Sequence, residues 1–137
     1  MFLFIAGIIS TCSFAQKNQE KNVPAVVKAA FENQFKNAKD VEWEKEGNNY
    51  EVEFEMGEVE QSVLYDATGN LIETEVEIKV SELPSGAQDY LKAKYKGKIK
   101  EASKITDALG TETYEAEVKG KDIIFDANGK YIKTIKK

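Results

Sequence analysis

Val63-Leu64-Tyr65-Asp66-Ala67-Thr68-Gly69-Asn70-Leu71-Ile72 and Ile123-Ile124-Phe125-Asp126-Ala127-Asn128-Gly129-Lys130-Tyr131-Ile132 are two versions of one pattern, 60 positions apart. In each, an apolar run meets Asp-Ala-x-Gly and a second apolar run follows. Asp caps such a turn and Gly accepts positive φ, so each stretch reads as a hairpin whose type I turn closes into a bulge. Self-similarity at a fixed period marks a repeated unit, and working outward extends it. Tyr50-Glu51-Val52-Glu53-Phe54 matches Tyr114-Glu115-Ala116-Glu117-Val118 at an offset of 64. Val23-Pro24 matches Leu83-Pro84, and Phe31 and Phe35 match Leu91 and Tyr95, at 60 again. Copy two is therefore longer before its Tyr-Glu-x-Glu strand, and copy one is longer after it. Insertions confined to two places are what loops between fixed elements show.

The periods inside each copy identify the elements. Pro24 suits the first turn of a helix, where its missing N–H costs nothing. Val27, Ala30, Phe31 and Phe35 recur at helical spacing, as do Ala87, Tyr90, Leu91 and Tyr95. The period then switches to two. Val41 and Trp43 alternate with Glu42 and Glu44, and Tyr50, Val52, Phe54 and Met56 alternate with Glu51, Glu53 and Glu55. Gly47-Asn48-Asn49 and Met56-Gly57-Glu58 are turn signals between adjacent strands. The expected fold is α+β: two tandem αβ4 repeats forming a continuous eight-stranded antiparallel sheet with both helices on one face. The other face is then expected to be wet, which accounts for the clean apolar/polar alternation. The expected repeats are residues 23–80 and 81–137, after a short linker at 16–22. This length suffices for one domain, or for two small units sharing one core.

Val23-Pro24-x-x-Val27, Phe31-x-x-x-Phe35, Ala38-Lys39-Asp40-Val41-Glu42-Trp43-Glu44, the Tyr-Glu-Val-Glu-Phe strand and the Asp-Ala-x-Gly turns together resemble the PepSY-like proteins exported by Bacteroidetes. Those proteins are also described as similar to the β-lactamase-inhibitory protein. The resemblance covers residues 23–137. It implies two αβ4 repeats, a periplasmic or surface location and no established activity. The PepSY relationship implies contact with peptidases or other envelope proteins, and the inhibitor relationship implies a sheet face that grips a protein partner. Copy two departs from the pattern, with Ala102-Ser103-Lys104-Ile105 in place of the Val-Glu-Trp-Glu strand.

Residues 1–15, Met-Phe-Leu-Phe-Ile-Ala-Gly-Ile-Ile-Ser-Thr-Cys-Ser-Phe-Ala, are apolar but too short for a spanning helix, which needs about 20 residues. Ser13 and Ala15 suit signal-peptide cleavage before Gln16, although no basic residue precedes the run, as it would if the true start lay upstream. Lipidation at Cys12, after Ile9-Ser10-Thr11, is the less favoured processing route. The expected location is periplasmic or secreted, with no membrane span in the mature chain. Loss of Cys12 would leave that chain without a thiol.

The composition excludes much chemistry. There is no His, and every basic residue is Lys. Nucleophilic catalysis of the Ser/His/Asp or Cys/His kind lacks its base. Ser62, Ser81, Ser85 and Ser103 lie in no Ser-x-x-Lys or glycine-elbow setting. Zinc lacks ligands, phosphate-cradling loops are absent, and Ala67, Ala127 and Lys130 spoil the two Asp turns as calcium loops. A net charge of −5 with no basic aromatic patch argues against nucleic acid. No catalytic residue, cofactor or metal is expected, and Lys136-Lys137 reads as a solvated tail.

The charge is unevenly spread. Residues 16–80 carry 7 Lys against 15 acids, and residues 81–137 carry 12 Lys against 9 acids. Glu42, Glu44, Glu51, Glu53 and Glu55 should project from one sheet face. Glycosidases oppose two carboxylates across a cleft, and a row on an open, solvated sheet lacks the burial that raises one pKa for acid work. Two readings of the row stand: a solvated face that discourages edge pairing, or an acidic docking surface for a basic partner. Trp43, Tyr50, Phe54, Tyr114 and Phe125 fall in the inward phase. Leu64 and Leu71 fall out of phase with Val63, Tyr65, Ile72 and Val76, which puts them on the wet face as contact residues, unless a bulge at the Asp66 turn reorients them. The candidate partner-binding face is thus Glu42, Glu44, Glu51, Glu53, Glu55, Leu64 and Leu71. The expected function is a non-enzymatic protein-binding module, including an inhibitor or modulator of an envelope protein such as a peptidase. The alternative is a structural or self-associating envelope protein, the acidic half of one chain meeting the basic half of another.

Overall fold

The computed structural model describes residues 20–96 and 98–137. The expectations about residues 1–15, Cys12 and cleavage before Gln16 lie outside the described residues. The first repeat is α1 (Ala25–Gln34), β1 (Lys39–Glu46), β2 (Asn49–Met56), β3 (Val59–Tyr65) and β4 (Leu71–Ile78). The second is α2 (Ser85–Tyr95), β5 (Glu101–Asp107), β6 (Glu112–Val118), β7 (Lys121–Asp126) and β8 (Tyr131–Lys136). The eight strands form one antiparallel sheet in the order β1 to β8, with β4 pairing to β5 across the junction of the repeats.

Each helix starts after a proline whose φ near −55° is already helical, Pro24 at −55° and Pro84 at −53°. A buried residue precedes each proline, Val23 or Leu83, and anchors the entry. Val27 and Phe31 of α1 pack on Trp43, Val52, Phe54, Val63 and Tyr65. Ala87 and Leu91 of α2 pack on Ala102, Ala116, Val118, Ile123 and Phe125. Cross-strand register puts all these sheet residues on one face, so both helices share it.

The expected single core is instead two clusters, one under each helix. The first is aromatic: the Phe31 ring meets Trp43 edge-on at 5.5 Å and Phe54 at 5.0 Å. The second has fewer aromatic rings at its centre, Phe125 meeting Tyr90 edge-on at 5.6 Å, and Ala102 stands where the first has Trp43. Trp43 pairs with Val52, and Ala102 pairs with Ala116, the counterpart of Val52.

The hairpin turns have the geometry their Asp and Gly residues predict. Asp66 Oδ1 accepts from the Thr68 and Asn70 backbone N–H groups at 2.9 and 3.0 Å, and Asp126 Oδ1 accepts from those of Asn128 and Lys130 at 2.9 Å. Gly69 and Gly129 adopt φ of 89° and 85°. Asp107-Ala108-Leu109-Gly110 makes a third such turn, Asp107 Oδ1 accepting from Leu109 N and Thr111 N at 2.9 Å. The tip at Gly129 packs against the start of α2, where its carbonyl would stand 3.2 Å from a Cβ at Gly86. This contact ties the last hairpin to the helix that covers it.

Candidate functional site

Strand register decides which carboxylates share a face. Glu44 pairs with Glu51, Glu51 with Leu64, Leu64 with Glu73, and Glu73 with Asp107. One level along, Glu42, Glu53, Ser62, Glu75 and Ile105 follow each other across β1 to β5. Ser103, Glu115 and Ile124 continue the same face into β7, as do Glu101, Glu117 and Asp122. All lie opposite the helices. Five of the predicted residues, Glu42, Glu44, Glu51, Glu53 and Glu55, are therefore brought together as expected, and Leu64 joins them.

Leu71 does not. The register slips between Leu64 and Tyr65, so Leu71 pairs with Tyr65 and packs on the helix-side cluster. The bulge at the Asp66 turn turned its side chain over. Leu64 is on the acidic face but only 4% exposed, so it is part of a packed layer rather than an apolar contact patch.

The face is not the uniformly wet surface that alternation predicts. No helix or strand of the described residues covers it, yet Glu51, Ser62, Leu64, Glu73, Glu75, Ile105, Glu115, Asp122 and Ile124 are all buried there. A cleft opens across this face from β1 to β5, and neighbouring side chains on adjacent strands cover one another. The outer strand keeps its acids in water: Glu42 and Glu44 on β1 are exposed.

Burial changes the acid chemistry. Desolvation, reinforced by Glu53, Glu46 and Glu75, pushes Glu51 up to about 9. Desolvation, with Glu75 and Asp122 beside it, pushes Glu115 up to about 9. Glu75 rises to about 7, chiefly by desolvation, while a hydrogen bond from Ser103 opposes the rise. Asp122 is also raised by its burial, against the pull of Lys137. The expected argument that an open sheet cannot raise a carboxyl pKa therefore fails, because burial among neighbouring side chains supplies the desolvation.

Lys137 is not a solvated tail. Its Nζ lies 3.3 Å from Asp122 Oδ1 and 3.1 Å from Glu117 Oε1, and its backbone N–H donates to the Gly120 carbonyl at 3.1 Å. Lys100 adds a looser pair with Glu117 at 3.6 Å. These cations sit at the β6–β8 end, so the β1–β4 end of the face is the more negative.

A cleft of about 270 Å³ opens on this face and crosses from β1 to β5. Glu42, Glu53, Glu55, Glu60, Glu77 and Glu101 line it together with Ser62, Glu75 and Ser103. Glu60, Glu75, Glu77, Glu101 and Ser103 are functional candidates that sequence reasoning missed. The signal was present in the Glu-Thr-Glu-Val-Glu alternation of β4 at Glu73, Glu75 and Glu77. Among the described residues no group of three or more acids, His or Cys is arranged to hold a metal ion. No described helix is long and apolar enough to cross a membrane.

An open sheet of two αβ4 units, with helices on one side and a clefted acidic surface on the other, defines a class of small repeat proteins. The chain belongs to the family described as "Putative beta-lactamase-inhibitor-like, PepSY-like", whose profile matches residues 14–73 and again residues 62–133. Solved structures share the fold. A protein from Bacteroides eggerthii, described among "putative periplasmic proteins", superposes with a TM-score of 0.75 at 14% identity, covering 82% of this chain and 88% of that one. A DUF2874 family protein from Bacteroides uniformis gives 0.70 at 19% identity, covering 82% and 88%. A BLIP-like protein from Bacteroides fragilis gives 0.62 at 19% identity, covering 82% and 85%. No curated protein matches the chain.

Proposed function

We propose that this protein is a non-enzymatic binding module of the cell envelope, periplasmic or secreted, that docks a basic segment of another protein on its clefted acidic face. The observation that carries this reading is the register that gathers acids from every strand from β1 to β7 onto the side of the sheet without helices. A concave surface of one sign focuses potential and attracts oppositely charged partners. The BLIP-like and periplasmic descriptions of the structural relatives support the same reading. The chain has no His, and its single Cys, Cys12, is far from these strands in sequence, so the face is better equipped to bind than to catalyse.

The test uses charge reversal at exposed positions, Glu42→Lys with Glu53→Lys, since reversal at buried Glu51 would damage the fold instead. Binding of an alternating lysine–threonine peptide, which favours an extended form, is measured against the unaltered protein. The reading expects the double variant to lose at least tenfold in affinity, and expects binding to weaken as salt rises, because screening acts within about 8 Å at physiological ionic strength. Equal affinity for both proteins would overturn it.

A further inference from the structure

Glu75 stands near the middle of the acidic cleft, on β4 where the first repeat joins the second. It is 5% exposed, and its Oε2 has no hydrogen-bond partner among the described residues. The Ser103 hydroxyl from β5 donates to the same carboxyl. Glu53 from β2, Glu115 from β6 and Asp122 from β7 act on it with like charge. The cation that opposes them, Lys137, is already shared between Glu117 and Asp122. Glu60, Glu77 and Glu101 add further acids to the walls. A buried carboxyl oxygen without a donor is rare in folded proteins and calls for a partner from elsewhere.

We propose that the cleft is the seat of one lysine side chain from an extended segment of a partner protein, its ammonium resting against Glu75 and the wall glutamates. This rests on the docking reading above and adds the residue type that anchors the partner. At about 270 Å³ the cleft is smaller than pockets for drug-sized ligands, which run from ~300 to ~1,000 Å³, so it suits one side chain rather than a whole small molecule. Lysine is favoured over arginine by the carboxyl itself. A guanidinium fork needs both oxygens, and the Ser103 bond engages the Glu75 carboxyl from one side. An ammonium is a compact point charge with three rotatable donors, so one can take the free Glu75 oxygen while the others reach the wall glutamates or water. A divalent cation is disfavoured because the lining acids are spread along the cleft and do not converge.

The experiment compares alternating lysine–threonine, arginine–threonine and norleucine–threonine peptides, butylammonium and calcium, each titrated calorimetrically into the full chain. The Glu75→Gln variant, the Ser103→Ala variant and a control at Glu112, which lies outside the cleft, are titrated alongside. The lysine peptide is expected to bind about tenfold tighter than the arginine peptide, the size of one charge-assisted hydrogen bond. Glu75→Gln is expected to erase that preference and Glu112→Gln to keep it. Ser103→Ala, which frees the second oxygen, is expected to narrow it in favour of arginine. Seating a cation displaces the proton from Glu75, so the lysine peptide is also expected to bind more tightly at pH 8 than at pH 6. If the lysine peptide binds and Glu75→Gln leaves its preference unchanged, the anchor is overturned while the docking face stands. If no basic peptide binds, both fall. Calcium or butylammonium binding as tightly as the peptide overturns the partner lysine in favour of a small cation.

Discussion

Glu51 and Glu115 hold the same place in the two repeats: each is the first Glu of Tyr-Glu-x-Glu, and each pairs with a buried aliphatic, Leu64 or Ile124. They are 3% and 5% exposed, and burial pushes both up to about 9. Duplication has thus copied an environment as well as a fold. In both halves a carboxyl keeps its proton near neutrality because its neighbours shut water out.

Stability should fall as pH rises. Glu51 and Glu115 release their protons near 4.5 in the unfolded chain and near 9 in the folded one. Between those values the folded state binds more protons, so the stabilisation is full at low pH and is lost as pH climbs toward 9. Each group contributes a slope of about 1.4 kcal/mol per pH unit while the states differ by a whole proton. Urea unfolding at pH 5, 7 and 9 should show a steady decline, flattened in the Glu51→Gln/Glu115→Gln double variant. A maximum at pH 8 or above would contradict this.

Lys137, its side chain only 20% exposed, should matter to stability. Replacing it with Met leaves Asp122, which is 0% exposed, without its ammonium 3.3 Å away. The loss should be about 1–3 kcal/mol, below the full cost of breaking a buried pair because Asp122 can take up a proton. Thermal melts should show that adding Asp122→Asn to Lys137→Met recovers much of the loss. Unchanged melting of the single variant would contradict the pairing.

Gly129 should tolerate a side chain far less well than Gly110. Both adopt φ of 85°, so both Ala variants carry the left-handed penalty of about 1–2 kcal/mol. Beyond that, a Cβ at Gly129 would stand 2.8 Å from the Ala87 backbone nitrogen, whereas one at Gly110 meets nothing within 4 Å. Denaturant midpoints should separate the two variants, with Gly129→Ala the lower. Equal midpoints would show that the hairpin tip is not seated on α2.

Because the helices cover separate clusters, damage to one should not depend on the other. Val27 and Leu91 are each 0% exposed. Val27→Ala and Leu91→Ala should each cost about 2–4 kcal/mol, and their double variant should be additive within about 0.5 kcal/mol. Chemical denaturation measures all three. A large coupling term would restore the idea of one shared core.

The repeat was legible because Asp turns and Tyr-Glu-x-Glu strands survive duplication as local chemistry. Those signals fixed the strand count, the order and the face of Glu42, Glu44, Glu51, Glu53 and Glu55. Burial was not legible. A period of two assigns a residue to a face but carries no information about how closely its cross-strand neighbours pack, and that packing is what separates buried Glu51 from exposed Glu42. Leu71 escaped for a different reason, since one slipped register inverts every phase argument beyond it. Lys137 read as a tail because its partners, Glu117 and Asp122, are distant in sequence. The cleft spans β1 to β5 and appears only once β4 and β5 are joined.

The most direct measurement is the titration of the Glu51 and Glu115 carboxyl carbons by NMR in the folded protein, with Glu75→Gln as a second sample. Both carboxyls should remain protonated at pH 7 and titrate near 9, and Glu115 should move downward when the neighbouring charge at Glu75 is removed. Midpoints at or below 4.5 would mean that water reaches both groups, and the buried acidic layer would be contradicted.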